Sequence, residues 1–158
     1  MEFTILIVGN AQVGKKCYLN RLLTGEFRSF LTTTSHILNT TLGLVKITYS
    51  ISATVVDGYD GYIFMCDMST QTADIVRGTS SIAVMAVNKC DRNITAQDHH
   101  TGLPTFTVSA KWNRGLYEPI LYILRGHLGQ SLRLIENEAI APSNVTRRPR
   151  LFCQIFKY

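Results

Sequence analysis

The sequence has no apolar run near the roughly 20 residues that a membrane-spanning helix needs. Its longest strongly apolar stretches are residues 5–8 and 82–87, so no membrane partner is expected. The four cysteines, Cys17, Cys66, Cys90 and Cys153, form no Cys-x-x-Cys pair and no metal-ligand spacing. That excludes a disulfide framework and points to reduced thiols in a cytosolic or nuclear setting. The opening Met1-Glu2-Phe3-Thr4 lacks a basic region and runs directly into a strand-like pattern, so a secretory leader is not expected there. Acidic residues are missing after Thr146, whereas Arg147, Arg148, Arg150 and Lys157 follow it. There are no internal repeats and no low-complexity segment.

What is present describes one ordinary globular domain. The chain has 158 residues, 46% hydrophobic and 17% charged, enough for a single core and too apolar for a disordered chain. The formal net charge is +5, but the last twelve residues supply most of it. The rest of the chain holds twelve cationic residues against eleven acidic ones. A near-neutral body does not suit a dedicated nucleic-acid binder, which carries a basic face on the fold itself. Residues 1–146 are expected to form the domain and residues 147–158 a basic tail. Two readings of the tail stand: a localisation or nucleic-acid-contacting segment, or a solvated terminus.

Residues 3–8 read as a buried strand, 9–14 as a glycine-bounded loop and 15–23 as a helix with Tyr18, Leu19, Leu22 and Leu23 at helical spacing. Residues 30–49, rich in Thr, Ile, Leu and Val, predict a loop and then one or two strands. A Gly/Asp turn at 57–61 precedes a buried strand at 62–66, and 67–81 is polar with at most a short helix. Residues 82–87 form a third buried strand. A polar loop with Asp98, His99 and His100 leads to a strand at 105–108 and an amphipathic helix over 118–128. Pro119 suits the first turn of that helix and Gly129 its end. Continuous apolar strands alternating with helices predict an α/β fold with a doubly wound, mostly parallel sheet and helices on both faces.

Three motifs carry chemistry. Gly9-Asn10-Ala11-Gln12-Val13-Gly14-Lys15-Lys16-Cys17 fits G-x-x-x-x-G-K between a strand and a helix. Such a loop wraps backbone N–H groups around phosphate oxygens, and Lys15 would reach the β- and γ-phosphates. At the next position Lys16 replaces the Ser or Thr hydroxyl that normally ligates Mg²⁺. An ammonium about 4 Å from a dication is repelled by roughly 8 kcal/mol at an effective dielectric near 20. Lys16 therefore displaces the metal, neutralises phosphate charge in its place, or points to solvent.

The second motif, Asn88-Lys89-Cys90-Asp91, fits N-K-x-D directly after a buried strand. The Asp91 carboxylate can accept from the guanine N1–H and exocyclic amine, a pair adenine does not offer. Lys89 can lay its aliphatic stem along the base, and Asn88 can brace the loops. In the third, Ser109-Ala110-Lys111, the Ala110 N–H could bond the guanine O6. Trp112 is expected to pack beside this loop. Each short motif alone is weak. All three in this order, each at the C-terminal end of a strand, form a strong constellation, because that edge is where open α/β sheets bind ligands.

These motifs resemble the Ras-like small GTPases. Arg21-Leu22-Leu23-Thr24-Gly25-Glu26-Phe27, Tyr117-Glu118-Pro119 and Ala139-Ile140-Ala141-Pro142 are most similar to the Ran family. The similarity covers about residues 3–27 and 66–145, with gaps. It implies a P-loop small G-domain, GTP or GDP as cofactor, Mg²⁺ uncertain, nuclear transport receptors or other Ran-binding proteins as partners, a monomer, and a place in nucleus and cytoplasm. Counting from Phe27, Thr34 falls on the switch I threonine, although Thr32-Thr33-Thr34-Ser35-His36 lacks the family's context. A plain strand-side threonine is an equal reading.

The departures matter as much. No D-x-x-G with a following glutamine occurs after the third strand, and Asp57 reads as a turn residue. Switch II is therefore expected to be deleted and the third-helix region shortened. No catalytic residue is assigned, and a guanine-nucleotide-binding protein with weak or no GTP hydrolysis is the leading expectation. An active switch with unusual metal ligation and a nucleotide-free interaction scaffold are the alternatives.

Overall fold

Strands that read as unbroken apolar runs lie in the middle of the sheet, because strands covered on both faces have no solvent side to mark with polar residues. A computed structural model describes residues 1–31, 33–68, 81–92 and 102–135. Its elements are β1 (Glu2–Val8), α1 (Lys15–Thr24), β2 (Ser35–Thr40), β3 (Gly43–Ser52), β4 (Gly61–Asp67), β5 (Ile82–Asn88), β6 (Thr105–Thr107) and α2 (Glu118–Leu128). Every residue of β4 is buried. On β3, by contrast, Val45, Ile47 and Tyr49 are buried while Leu44, Lys46 and Thr48 are exposed, the alternation of a strand covered on one face.

The six strands form one mixed sheet in the order β2-β3-β1-β4-β5-β6. All neighbours are parallel except the β2–β3 hairpin. Ile5 stands level with Tyr49 of β3 and Gly61 of β4, and Val8 with Ser52 and Phe64. Chain direction across the sheet reverses at β1, so the carboxyl end of β1 is a topological switch point. The fold is thus α/β, with a mainly parallel sheet as the apolar runs predict.

Both described helices pack on one face. Tyr18, Leu19 and Leu22 of α1 join Ile120, Ile123 and Leu124 of α2 over Ile5, Ile7, Ile47, Ile63 and Val84. The Tyr18 hydroxyl donates to the Leu116 carbonyl at 2.6 Å, tying the two helical regions together. Close approach of α2 depends on two glycines: a Cβ on Gly61 would run into Ile123, and one on Gly126 into Ile82. Gly14 (φ +96°) and Gly25 (φ +74°) bound α1, and the Gly25 N–H closes it on the Arg21 carbonyl at 3.0 Å.

Helices on both faces were expected. The opposite face, built from Leu6, Val8, Tyr62, Phe64, Cys66, Met85 and Val87, is covered among the described residues by Val55, Tyr59, Met68, Ala83 and Leu103. Among the described residues, the β3–β4 connection crosses this face and is too short for a helix. Eight residues, 53–60, must return from the level of Val8 to that of Ile5 and pass under β1. That is roughly 10 Å along the strands and roughly 10 Å across them. Extended chain covers it easily, whereas a helical crossover needs about ten residues or more. Asp57 is exposed on this connection. Asp60 ends it by accepting from the Thr4 N–H at 2.7 Å and the Thr4 hydroxyl at 2.8 Å. Most of the polar 67–81 segment, the Asp98-His99-His100 loop, Ala139–Pro142 and the 147–158 tail lie outside the described residues. No described helix is long and apolar enough to cross a membrane.

His36 sits on the edge strand β2 with its ring stacked on Tyr49 (centroids 5.8 Å) and edge-on to Tyr117 (6.4 Å). Both ring nitrogens and the Tyr49 hydroxyl are buried without a hydrogen-bond partner among the described residues. Burial holds the imidazole below its ordinary value of 6.5.

Two outcomes test this packing. Ile63→Ala, at a fully buried site in the central strand, is expected to lower unfolding free energy by about 2–4 kcal/mol, whereas Ile37→Ala, 62% exposed, changes it by less than about 0.5 kcal/mol. Urea titrations measure both. Between the lowered folded value of His36 and 6.5, the unfolded chain binds more protons than the folded one. Stability attributable to His36 is therefore complete above 6.5, falls as the pH drops through that window and levels off below it. His36→Phe is expected to flatten that part of the stability–pH curve, and an unchanged slope in thermal melts would refute the assignment.

Candidate functional site

The site begins where β1 ends. Gly9 donates its N–H to the Ser52 carbonyl at 3.3 Å, and any Cβ there would strike the Met65 carbonyl. The loop then turns through Gln12 (φ +67°) and Gly14 (φ +96°), conformations that glycine enters freely and glutamine enters at a cost. Val13 is buried beneath it. Gly14 starts α1, its carbonyl accepting from the Tyr18 N–H at 2.8 Å. The first-turn N–H groups of Lys15, Lys16 and Cys17 face outward from the helix start, where they have no helical acceptor. The result is a glycine-lined cradle at the positive end of a helix dipole.

Lys15 folds back over this loop. Its ammonium donates to the Gly9 carbonyl and, at 2.7 Å, to the Asn10 carbonyl. Burial pulls its pKa below the ordinary lysine value. Lys16, one residue on, is exposed, and Cys17 is half-buried against the core.

Asn88, at the end of β5, joins this loop to the loops that follow β5 and β6. It is 2% exposed. Its Nδ2 donates to the Val13 carbonyl at 2.9 Å, and its Oδ1 accepts from the Ala110 N–H at 3.3 Å. A Cβ on Gly14 would crowd the same amide nitrogen, so the second glycine of the cradle is also the seat of Asn88. The bracing expected of Asn88 is present.

Asp91 accepts a 2.7 Å hydrogen bond from the Ser109 hydroxyl through one carboxylate oxygen, and Ser109 Oγ accepts from the Trp112 N–H at 3.1 Å. Paired N–H to carbonyl bonds between Ser109 and Arg114 close the loop that holds Ala110 and Lys111. The Cys90 N–H donates to the Val108 carbonyl at 3.3 Å, linking the two loops again. Burial raises the Cys90 thiol, with Arg114 opposing that shift and Asp91 adding to it.

Two expectations shift in detail. Lys89, held at φ +62°, gives its ammonium to Asp67 in a 2.6 Å ion pair, so a carboxylate at the end of β4 aims it. Sequence reading did not single out Asp67; the signal was an acid directly after the apolar run 62–66. Trp112 is 58% exposed, and its backbone N–H ties it to the loop through Ser109 Oγ.

Thr34 is not brought to this edge. Its carbonyl accepts from the Tyr49 N–H at 2.7 Å, which places it level with Ile5 and two strands away from β1. That is four residues, roughly 13 Å, short of Gly9 along the strand direction. The Mg²⁺ that a phosphate-binding loop of this type implies finds no fitting donor set: Lys16 offers an ammonium, Thr34 lies elsewhere, and Asp57 sits exposed on the β3–β4 connection. Among the described residues no group of three or more His, Cys, Asp and Glu is arranged to hold a metal.

Asn88→Ala is expected to leave the Val13 carbonyl and the Ala110 N–H without their partner, costing about 2 kcal/mol or more of unfolding free energy and speeding amide exchange at Ala110. An exchange rate at Ala110 equal to that of the wild type would show that Asn88 does not hold the loops together. No protein-family model matches the chain.

Proposed function

We propose that the chain is a guanine-nucleotide-binding protein of the Ras-like type, closest in its motifs to Ran, with weak or no GTP hydrolysis. The observation that carries this reading is the Asn88 bridge. One buried amide holds the phosphate-type loop and the Ser109-Ala110-Lys111 loop together at the switch point of an α/β sheet.

On this reading Gly9, Gly14 and the first-turn N–H groups of α1 cradle the phosphates, and Lys15 leaves the loop carbonyls for phosphate oxygens. Asp91, oriented by Ser109, accepts from the guanine edge. The Ala110 N–H would share itself between Asn88 and the base oxygen, and Lys89, aimed by Asp67, covers one face of the base. A nucleotide supplies its own phosphoanhydride chemistry, but no described side chain at this edge is placed to orient an attacking water. Turnover therefore has little to stabilise its transition state. Nuclear transport receptors are the partner class this resemblance favours.

One observation favours a second reading. Lys15 already donates to the Gly9 and Asn10 carbonyls, a self-closed loop that a nucleotide-free interaction scaffold would use unchanged.

Freshly purified protein is expected to release GDP or GTP on denaturation, and fluorescent GDP is expected to be displaced by GTP but not by ATP. Asp91→Ala should weaken GDP binding by roughly tenfold or more, the worth of a lost charge-assisted pair. Absence of any guanine-nucleotide binding would leave the scaffold as the surviving reading.

A further inference from the structure

The edge that bears the three motifs is rich in cations and poor in free carboxylates. Among the described residues, the loops after β5 and β6 and the first turn of α1 carry Lys15, Lys16, Lys89, Arg92, Lys111 and Arg114, while the acids there and at the end of β4 are Asp67 and Asp91. Both acids are engaged, Asp67 by the Lys89 ammonium and Asp91 by the Ser109 hydroxyl. An Mg²⁺ ion needs oxygen donors, most of them anionic or waters held in near-ideal octahedral geometry. The position that would supply a hydroxyl holds the exposed Lys16 instead, directly beside Lys15 in the first turn of α1.

A diphosphate or triphosphate brings several negative charges to the cradle. Where a metal normally takes up much of that charge, here two consecutive lysines in the first turn of a helix are available. From this mismatch we infer that the site binds the phosphates of its nucleotide without a divalent cation, the Lys16 ammonium taking the magnesium's place against the phosphate oxygens.

This rests on the nucleotide-binding reading above and sharpens it in one respect. If Lys16 replaces the metal, adding Mg²⁺ does not help; it competes with Lys16 for the same oxygens. Lys15 alone does not give that behaviour, because the same lysine serves loops that do use Mg²⁺. The distinguishing residue is therefore Lys16, and its exposure means that exchanging it leaves the core untouched.

The test is a fluorescent GDP titration of the whole chain, in parallel in MgCl₂ and in EDTA, for the wild type, Lys16→Ala and Lys16→Thr. The wild type is expected to bind as tightly in EDTA as in MgCl₂. Lys16→Ala should lose roughly tenfold or more in EDTA, as expected for a missing charged hydrogen bond. Lys16→Thr, which restores the hydroxyl, should bind better with Mg²⁺ than without it. Thermal melts of both variants should match the wild type, so a change in affinity reads the phosphate contact and not folding. A wild-type affinity that falls about tenfold or more when Mg²⁺ is removed, or a Lys16→Ala protein that binds like wild type in EDTA, overturns the metal-free arrangement while leaving guanine-nucleotide binding intact. Absence of binding in both buffers overturns the nucleotide reading itself, and this inference with it.

Discussion

A single buried amide organises the edge of this molecule. Asn88 gives its nitrogen to the Val13 carbonyl and its oxygen to the Ala110 N–H, so both halves of the side chain are used where water cannot substitute. Such a group costs heavily if either partner is lost. It can reach both loops only because β5 lies next to β4, β4 next to β1, and all three run parallel, with β4 and β5 ending level at Asp67 and Asn88, three residues beyond the level of Val8. A register shift in β4 or β5 by one residue would turn Asn88 to the other face of the sheet. The buried strands are therefore more than a core. They are the ruler that sets the spacing between a phosphate-type loop and a base-type loop.

The β3–β4 connection works in the opposite sense, by limiting what the molecule can do. Its eight residues cross the second face without forming a helix, and Val55 and Tyr59 pack into the apolar cluster there. The Tyr62 hydroxyl donates to the Val56 carbonyl at 3.1 Å, and Asp60 is tied to Thr4 at the far end. A ligand-driven switch requires a segment with two arrangements of similar free energy. A short strap fixed at its end and along its length is a poor candidate for that role. On the proposed reading, the sequence that would sense a γ-phosphate and the chain length that would respond to it are both lacking in this connection.

How far the residues alone foretold this arrangement follows from the range of the forces involved. The bounds of α2 were legible because Pro119 and Gly129 act locally, and α1 was legible to one residue because Gly14 and Gly25 cap it. β1, β4 and β5 announced themselves as unbroken apolar runs. The Asn88 brace was legible because the motif fixes its position after a buried strand. The Lys89–Asp67 pair was not, since 22 residues separate them in sequence and only the β4–β5 register brings Asp67 opposite Asn88. Thr34 carried two equal readings, and its strand-side place is set by pairing that local sequence does not show. Counting from Phe27 assumed a loop of fixed shape, whereas the hairpin with β3 captures the Thr34 carbonyl through Tyr49 and holds it level with Ile5. That the β3–β4 connection carries no helix was hidden in a chain-length limit that no single residue reveals.

The closed position of Lys15 bears on which reading of the site is favoured. Its ammonium holds two neutral carbonyls, and hydrogen bonds of that kind contribute about 0.5–3 kcal/mol net. Phosphate oxygens are charged acceptors, so they add Coulomb attraction to a bond whose donor is already charged. Moving Lys15 from carbonyl to phosphate therefore exchanges weaker contacts for stronger ones, and burial, which lowers the lysine pKa, makes an anionic partner more valuable still. The carbonyls freed at Gly9 and Asn10 lie at a partly exposed site where water can reach them. Self-closure of the loop is thus a resting arrangement and a small opposing term. The stronger constraint on any ligand at this edge is the fixed separation that Asn88 imposes between the two loops.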